Sequence, residues 1–132
     1  MSEADIETLR EEYDAISRRD WESVFRTAHA DFESKTPDRG LGPQTVPGPE
    51  RARRAMEDFF APYEAVLVEP QEFFTRGDRI AVYFRQRCRP RGSTADVEIR
   101  AGHLWTMRDG RAASLEIFPE REQALERANV LK

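Results

Sequence analysis

Apolar residues in the first sixty positions recur with the spacing of helices. In the first segment the intervals are three and four residues, which places these side chains on one helical face. They are Ile6, Leu9, Tyr13 and Ile16. The pattern predicts a helix over residues 3–18, a second short helix that Asp20 caps, and a third helix that starts at Glu50 and ends near Pro62.

The segment between the second and third helices has a different character. Residues 31–36 have the pattern of a short strand, and residues 36–49 contain four prolines and three glycines, which is typical of a loop. The loop is long enough to act as a lid over a pocket. An inert connection would have the same composition, so both alternatives stay open.

From Val66 to Phe118 the pattern changes to that of strands, with turn signals at residues 76–78, 92–93 and 108–110. The face assignment of residues 66–75 stays open, because apolar residues occur at both parities. A short C-terminal helix is predicted after Pro119.

A two-residue turn at Gly92–Ser93 sets the register of the central hairpin. Mostly opposite charges then face each other across the strands, and apolar residues meet on the other face. The charged face pairs Arg89 with Asp96, Arg87 with Glu98 and Arg85 with Arg100. The apolar face pairs Cys88 with Val97, Gln86 with Ile99, Phe84 with Ala101, Val82 with His103 and Ile80 with Trp105.

The last hairpin allows two registers. A two-residue turn at Asp109–Gly110 would place Glu116 beside His103, whereas a three-residue loop with a bulge at Gly110 would place Leu115 there. An unpaired buried carboxylate is costly, so we predict the second register. The residues that it turns to the apolar face are Ala113, Leu115 and Ile117.

The order of elements and several stretches resemble the NTF2-like superfamily, specifically its SnoaL-like branch of polyketide cyclase and ketosteroid isomerase relatives. The stretches are RDWESV at 19–24, AHADF at 28–32, RGDRIAV at 76–82, GHLWTMRDGR at 102–111 and EIFPEREQALE at 116–126. The resemblance implies a single α+β domain over residues 1–132. It would be a cone in which a curved, mostly antiparallel sheet wraps around three helices of the N-terminal half, with a short C-terminal helix. It also implies a homodimer through the convex face of the sheet, where Ala81, Tyr83, Leu104 and Phe118 would form an apolar patch.

Tyr13 and His103 are the candidate catalytic residues. The position of Tyr13 resembles that of a tyrosine which the isomerase relatives use to donate a hydrogen bond to an oxyanion, and His103 lies where those relatives place a protonated aspartate. Thr36 stands where they carry the carboxylate that abstracts a proton, which argues against steroid-type isomerisation. The candidate pocket residues are Phe32, Phe59, Tyr63, Trp105 and Leu115.

Two functions are compatible with this set of residues. One is an isomerase-, cyclase- or hydrolase-like enzyme that acts on an apolar, ring-containing small molecule by acid–base or oxyanion chemistry. The other is a non-catalytic ligand-binding or structural dimer, in which Tyr13 and His103 belong to the core.

Composition narrows the remaining classes. The 21 basic and 25 acidic residues give a net charge of −4, which argues against a nucleic-acid-binding protein. A single cysteine excludes an intramolecular disulfide, and the two histidines lack metal-ligand spacing, so we expect neither a metal nor a cofactor. No apolar run reaches the length of a membrane span, and the first residues are acidic, so we expect a cytoplasmic protein without a membrane partner.

Overall fold

The computed structural model describes residues 2–36 and 44–130. Helices occupy both ends of the described chain, and most strands follow one another in its second half. The elements are α1 (Ser2–Arg18), α2 (Trp21–Arg26), β1 (Ala28–Thr36), β2 (Gln44–Pro47), α3 (Pro49–Phe60), β3 (Tyr63–Arg76), β4 (Arg79–Pro90), β5 (Val97–Arg108), β6 (Arg111–Phe118) and α4 (Arg121–Val130). The predicted helices are confirmed, with ends that differ by one or two residues.

Local signals explain how the N-terminal helices start. Asp20 caps α2, because its Oδ1 accepts a hydrogen bond from the backbone N–H of Ser23 at 3.3 Å and its Oδ2 accepts one from the Ser23 hydroxyl at 2.6 Å. Pro49 stands in the first turn of α3, where a missing N–H has no cost. Leu9, Tyr13 and Ile16 are buried, as the spacing predicts.

The strands form one curved, unclosed sheet in the order β2-β1-β6-β5-β4-β3. All neighbouring strands are antiparallel except β1 and β6, which run parallel. Residues from α1, α2 and α3 pack on the concave face and form the main core. The predicted α+β cone with a short C-terminal helix is therefore confirmed.

The central hairpin has the predicted register, from Ile80 opposite Trp105 to Cys88 opposite Val97. Its turn is different from the one predicted. The N–H of Ser93 donates to the carbonyl of Pro90 at 3.1 Å, so the tight turn centres on Arg91 and Gly92, one residue earlier than predicted. The N–H of Arg91 donates instead to the carbonyl of Pro62 at 3.0 Å, which ties this strand end to the segment after α3.

The last hairpin corrects the sequence prediction. Its turn has two residues, Asp109 and Gly110, both with positive φ, and the bulge lies in the strand at Ala113. His103 therefore pairs with Ile117, and Leu115 pairs with Trp105. A bulge in β6 shifts the alternation of inward and outward side chains by one residue, as a longer loop would. Leu115 and Ile117 therefore face the inner core. Ala112 joins this core instead of Ala113.

The predicted loop at residues 36–49 also needs correction. Gln44–Pro47 form strand β2, which pairs with the end of β1, while residues 37–43 lie outside the described residues. Strand β1 begins at Ala28, three residues earlier than predicted, because the N–H of Ala112 in β6 already bonds the carbonyl of Thr27 at 3.1 Å.

Helix α4 covers part of the convex face. A second core there consists of Ala81 and Leu104 from the sheet and Ala124 and Ala128 from the helix. The patch that the sequence suggested for a dimer is thus partly covered within the chain. Among the described residues, no helix is both long and apolar enough to cross a membrane.

Candidate functional site

Three buried side chains form a hydrogen-bonded chain inside the cone. The Nε1–H of Trp105 donates to the hydroxyl oxygen of Tyr13 at 2.9 Å, and that oxygen lies 2.6 Å from Nδ1 of His103. Helix α1 supplies the tyrosine, and neighbouring inward positions of β5 supply the other two side chains. The sequence-predicted catalytic residues Tyr13 and His103 are therefore brought into direct contact.

Burial determines the protonation states of Tyr13 and His103. Loss of solvation raises the pKa of Tyr13 well above its usual value, and it lowers the pKa of His103 to about 3. Because Trp105 donates to the Tyr13 oxygen, the single phenol proton is directed to Nδ1 of His103. Neutral His103 then carries its own proton on Nε2, which suits it to donate a hydrogen bond rather than to accept a proton.

A buried carboxyl lies beside this group. Glu12 is only 3% exposed, and its Oε1 accepts a hydrogen bond from the Thr27 hydroxyl at 2.5 Å. Burial raises the pKa of Glu12 from 4.5 to about 7, while the Thr27 hydrogen bond acts in the opposite direction. This side chain can thus exist in either protonation state near neutral pH.

Glu12 lines a small apolar cavity between the helices and the sheet. The cavity encloses about 10 Å³, which is room for a single water molecule and far below the about 300–1,000 Å³ of most ligand pockets. Its other lining residues are Val24, Phe25, Ala28, Phe32, Met56, Trp105 and Ala112. In this arrangement the cavity holds no more than a water-sized molecule, and a larger ligand would require the lining side chains to move apart.

The sequence-predicted pocket residues occupy different environments. Phe32 and Trp105 line the cavity. Leu115 is buried in the main core, Tyr63 packs half-buried against it, and Phe59 is 55% exposed. Whether these three side chains contact a ligand stays a prediction.

The side chains of Tyr13 and His103 do not line this cavity. They are linked to it by Trp105, which lines the cavity and is hydrogen-bonded to Tyr13. The indole ring forms part of the cavity wall, while its N–H is held by Tyr13. His103 is fixed in turn by stacking on Phe84, with ring centroids 4.0 Å apart. The pair therefore sets the orientation of one wall of the cavity.

Glu12 is the site residue that sequence reasoning missed. It lies three residues after Leu9 and four before Ile16, so the spacing that identifies the buried face of α1 includes it. Carboxylates are rarely fully buried, which is why the apolar pattern alone passes over it. Its partner Thr27 is 15 positions away, between α2 and β1.

Other candidate groups are not arranged for chemistry. Thr36, which stands where the relatives carry a catalytic carboxylate, donates its hydroxyl to the carbonyl of Gln44 at 3.3 Å. Within residues 2–36 and 44–130, no group of three His, Cys, Asp or Glu side chains could hold a metal ion. Arg87 and Arg89 pair with Glu98 and Asp96, as the hairpin register predicts.

Comparison with solved structures supports the fold. TerC, crystallised with polyporic acid, is 25% identical, with a TM-score of 0.76 over 96% of this chain and 98% of that one. An NTF2-like protein of unknown function from Burkholderia pseudomallei K96243 is also 25% identical, with a TM-score of 0.72 over 93% and 95% of the two chains. A protein with a ketosteroid isomerase-like fold from Catenulispora acidiphila DSM 44928, in complex with trimethylamine, is 15% identical, with a TM-score of 0.74 over 93% and 92%.

Sequence comparison identifies the family. A search of curated protein sequences finds no match. The family model for the SnoaL-like domain matches residues 9–115, which include the second half of α1, the whole cavity lining and most of the sheet. The chain therefore belongs to the SnoaL-like domain family of the NTF2-like superfamily.

Proposed function

We propose that this protein binds a small, mainly apolar molecule at the cavity that Glu12 lines, and that the lining side chains move apart to admit it. The observation that carries the proposal is the combination of an apolar wall with a single buried carboxyl. A carboxyl that served only to stabilise the fold would be easier to replace than to bury, because its desolvation has a substantial cost. A ligand that uses its proton or its charge gives this burial a function.

Two structural neighbours give this proposal support of different kinds. TerC, which is 25% identical and matches almost the whole chain, was crystallised with polyporic acid. The Catenulispora protein shares only the fold with this chain, and it holds trimethylamine. Both are consistent with the use of this architecture for small ligands.

Ligand binding can be tested by filling the cavity. Ala28 lines the cavity, so Ala28→Leu should block a ligand by volume alone. The control is Ala95→Leu, which makes the same change at an exposed position. In a thermal-shift screen of small amines and ring compounds, we expect stabilisation of the wild type and of the control but not of Ala28→Leu. Equal stabilisation of all three proteins would place the ligand elsewhere.

A second candidate function is an enzyme in which His103 donates a hydrogen bond to the substrate and Tyr13 orients the imidazole, and it is favoured by their 2.6 Å contact. Neutral His103 is 8% exposed, and none of the hydrogen bonds among the described residues uses its Nε2. A ligand carbonyl that reached this atom would receive a hydrogen bond from a pre-oriented donor in a dry environment. Such a donor stabilises an oxyanion as it forms.

The oxyanion proposal can be tested with a chromophoric phenol. If Nε2 of His103 donates to an oxyanion, bound 4-nitrophenol should ionise at a lower pH than the free compound, since the site favours its phenolate. Tyr13→Phe and His103→Leu should abolish this shift in the absorbance titration. Phenolate binding that both variants leave unchanged would remove these residues from the site.

We also propose that the protein is cytoplasmic and forms a homodimer through the convex surface that α4 leaves uncovered. Leu67 lies there at 38% exposure, near the ion pairs of Arg87 and Arg89. An apolar centre with a charged rim is a common composition for an interface.

A further inference from the structure

We propose that a second copy of this chain pairs with the free edge of β5, the segment of residues 97–101 that extends past the end of β6. Strand β5 starts at Val97, whereas its pairing with β6 starts only at Gly102, opposite Phe118. Among the described residues, no strand pairs with the side of this segment that faces away from β4. Its backbone N–H and C=O groups on that side are therefore available to another strand. This contact is independent of any ligand and differs from the convex-face dimer.

The two outer strands of the sheet, in contrast, are protected against such pairing. On β3, the hydroxyl of Ser17 donates to the carbonyl of Val68 at 3.3 Å and accepts from its N–H at 2.9 Å, and Arg19 donates to the carbonyl of Tyr63 at 2.6 Å. Strand β2 has only four residues and ends at Pro47. Covered backbone groups, short strands and proline are common means by which natural sheets avoid edge pairing. Within the described part of the chain, the free edge of β5 has none of these three features.

The sequence of the free edge is complementary to itself. When two copies run antiparallel with Ile99 opposite Ile99, Glu98 of each copy lies opposite Arg100 of the other. Val97 then lies opposite Ala101 on the other face of the strand. The two-fold axis passes through the middle of the five unpaired residues, so the whole segment is used. Opposite charges and apolar side chains that face each other across a strand pair both stabilise it.

The charges also select this register over its neighbours. A shift by one residue would place apolar side chains opposite charged ones, and a shift by two would place Glu98 opposite Glu98 or Arg100 opposite Arg100. Within one copy, Arg100 faces Arg85 across the β4–β5 pair and shares Glu98 with Arg87. A carboxylate from a second copy would therefore give Arg100 a partner of its own.

The apolar side chains of the free edge are exposed on the concave face. Val97 is 51% exposed and Ile99 is 46% exposed, although their cross-strand neighbours Cys88 and Gln86 are buried. Pairing of two copies would bring the Ile99 side chains together and remove part of this surface from water.

The small size of the contact sets its strength. Five residue pairs bury less than the about 1,200 Å² of a stable interface, so we expect a Kd on the order of 0.1–1 mM. At such concentrations the edge would join copies that are already paired through the convex face, because two different two-fold contacts on one chain build larger assemblies.

Charge reversal tests the pairing. Every protein in the test carries Leu67→Glu, the change that should remove the convex-face dimer, so any remaining association uses another surface. Adding Glu98→Arg or Arg100→Glu should weaken association at least about tenfold, because two attractive pairs become two repulsive ones. The protein with both changes should associate like the parent, and so should an equimolar mixture of the two single variants, since each restores both attractive pairs.

Sedimentation equilibrium from about 20 μM to about 1 mM measures the association. Hydrogen exchange locates it, since the amides of residues 97–101 should become protected as the concentration of the parent rises. Glu72→Arg is the matched control, because it makes the same change at an exposed position of β3, and it should associate like the parent. Circular dichroism verifies that each variant is folded.

Four results would overturn the edge contact. They are a parent that stays monomeric at about 1 mM, single variants that associate like the parent, a mixture that associates no better than its components, and amides at residues 97–101 that are protected at every concentration. The last result would show that the edge is covered within its own chain. None of these results would affect the ligand site or the convex-face dimer, which have tests of their own.

Discussion

Two buried residues, Glu12 and His103, each favour the neutral form in the folded protein, and they do so with opposite consequences for stability. Burial raises the pKa of Glu12 from 4.5 to about 7, and it lowers the pKa of His103 from 6.5 to about 3. Folded Glu12 thus holds a proton that the unfolded chain releases. Folded His103 lacks a proton that the unfolded chain binds.

The raised pKa of Glu12 gives the first prediction, which is a loss of stability as the pH rises. Between pH 4.5 and about 7 the unfolded state binds fewer protons at this residue, so its contribution to stability is lost as pH rises. Glu12→Gln replaces the titrating carboxyl with an amide, so the variant does not lose this stability as the pH rises. The difference in unfolding free energy between the variant and the wild type should therefore grow in favour of the variant across this window, by on the order of 3 kcal/mol, and level off above it.

Urea denaturation at half-unit pH steps measures this difference. Glu11→Gln serves as the control for removal of a carboxylate from the exposed face of α1. A difference between Glu12→Gln and wild type that does not depend on pH would show that Glu12 is solvated in the folded protein.

The lowered pKa of His103 gives a second prediction, which is a loss of stability as the pH falls. The folded pKa is lower than the unfolded one, so the contribution of His103 is fully present above pH 6.5 and is lost as pH falls toward 3. His103→Gln should therefore gain stability relative to the wild type as the solution is acidified. The same urea series detects it, and a gain on raising pH instead would contradict the neutral, buried imidazole.

At the scale of elements, the docking of α4 depends on a missing side chain. A Cβ on Gly102 would lie 2.8 Å from the Cα and carbonyl oxygen of Arg121 and 2.8 Å from the Cβ of Ala124. Glycine in β5 therefore permits the helix to approach the sheet closely. The ion pair between Arg127 and Glu116, at 3.6 Å, spans the same interface.

We predict that Gly102→Ala destabilises the protein by about 1–3 kcal/mol, because the helix backbone must move away from the sheet. Thermal unfolding followed by circular dichroism measures the effect. Adding Ala124→Gly removes one of the close atoms but leaves the backbone of Arg121, so the double variant should recover only part of the loss. Full stability of Gly102→Ala would mean that α4 is not held against β5.

The β4–β5 pairing and the bulge in β6 show which parts of the fold can be predicted from the sequence and which cannot. Alternating charge and hydrophobicity fixed the pairing of β4 with β5, because both patterns require the same register. The bulge at Ala113 could not be predicted, since an extra residue in the turn and one in the strand both turn Leu115 and Ile117 inward. In the site, the inward positions of Tyr13 and His103 followed from periodicity, whereas the burial of Glu12 depends on Thr27, which local patterns do not place beside it.

At the scale of the whole molecule, the expected dimer provides the next prediction. If the uncovered convex surface is the interface, Leu67→Glu should yield a monomer, because a charge would be buried against the partner. Val97→Glu is the control, since Val97 is 51% exposed but faces the opposite side of the sheet. Sedimentation velocity distinguishes the two masses. A wild-type chain that sediments as a monomer would refute the dimer.

The parallel seam between β1 and β6 has a consequence for the order of folding. The hairpins from β3 to β6 join neighbours in sequence, but β1 must pair with a strand more than eighty residues later, and Tyr13 meets His103 across 90 positions. Closing so long a loop costs more conformational entropy than forming a hairpin, so this pairing is expected to form after the β3–β6 hairpins. The cavity is therefore expected to be completed after the rate-limiting step, so that substitutions along the seam accelerate unfolding while substitutions in the β4–β5 hairpin slow folding.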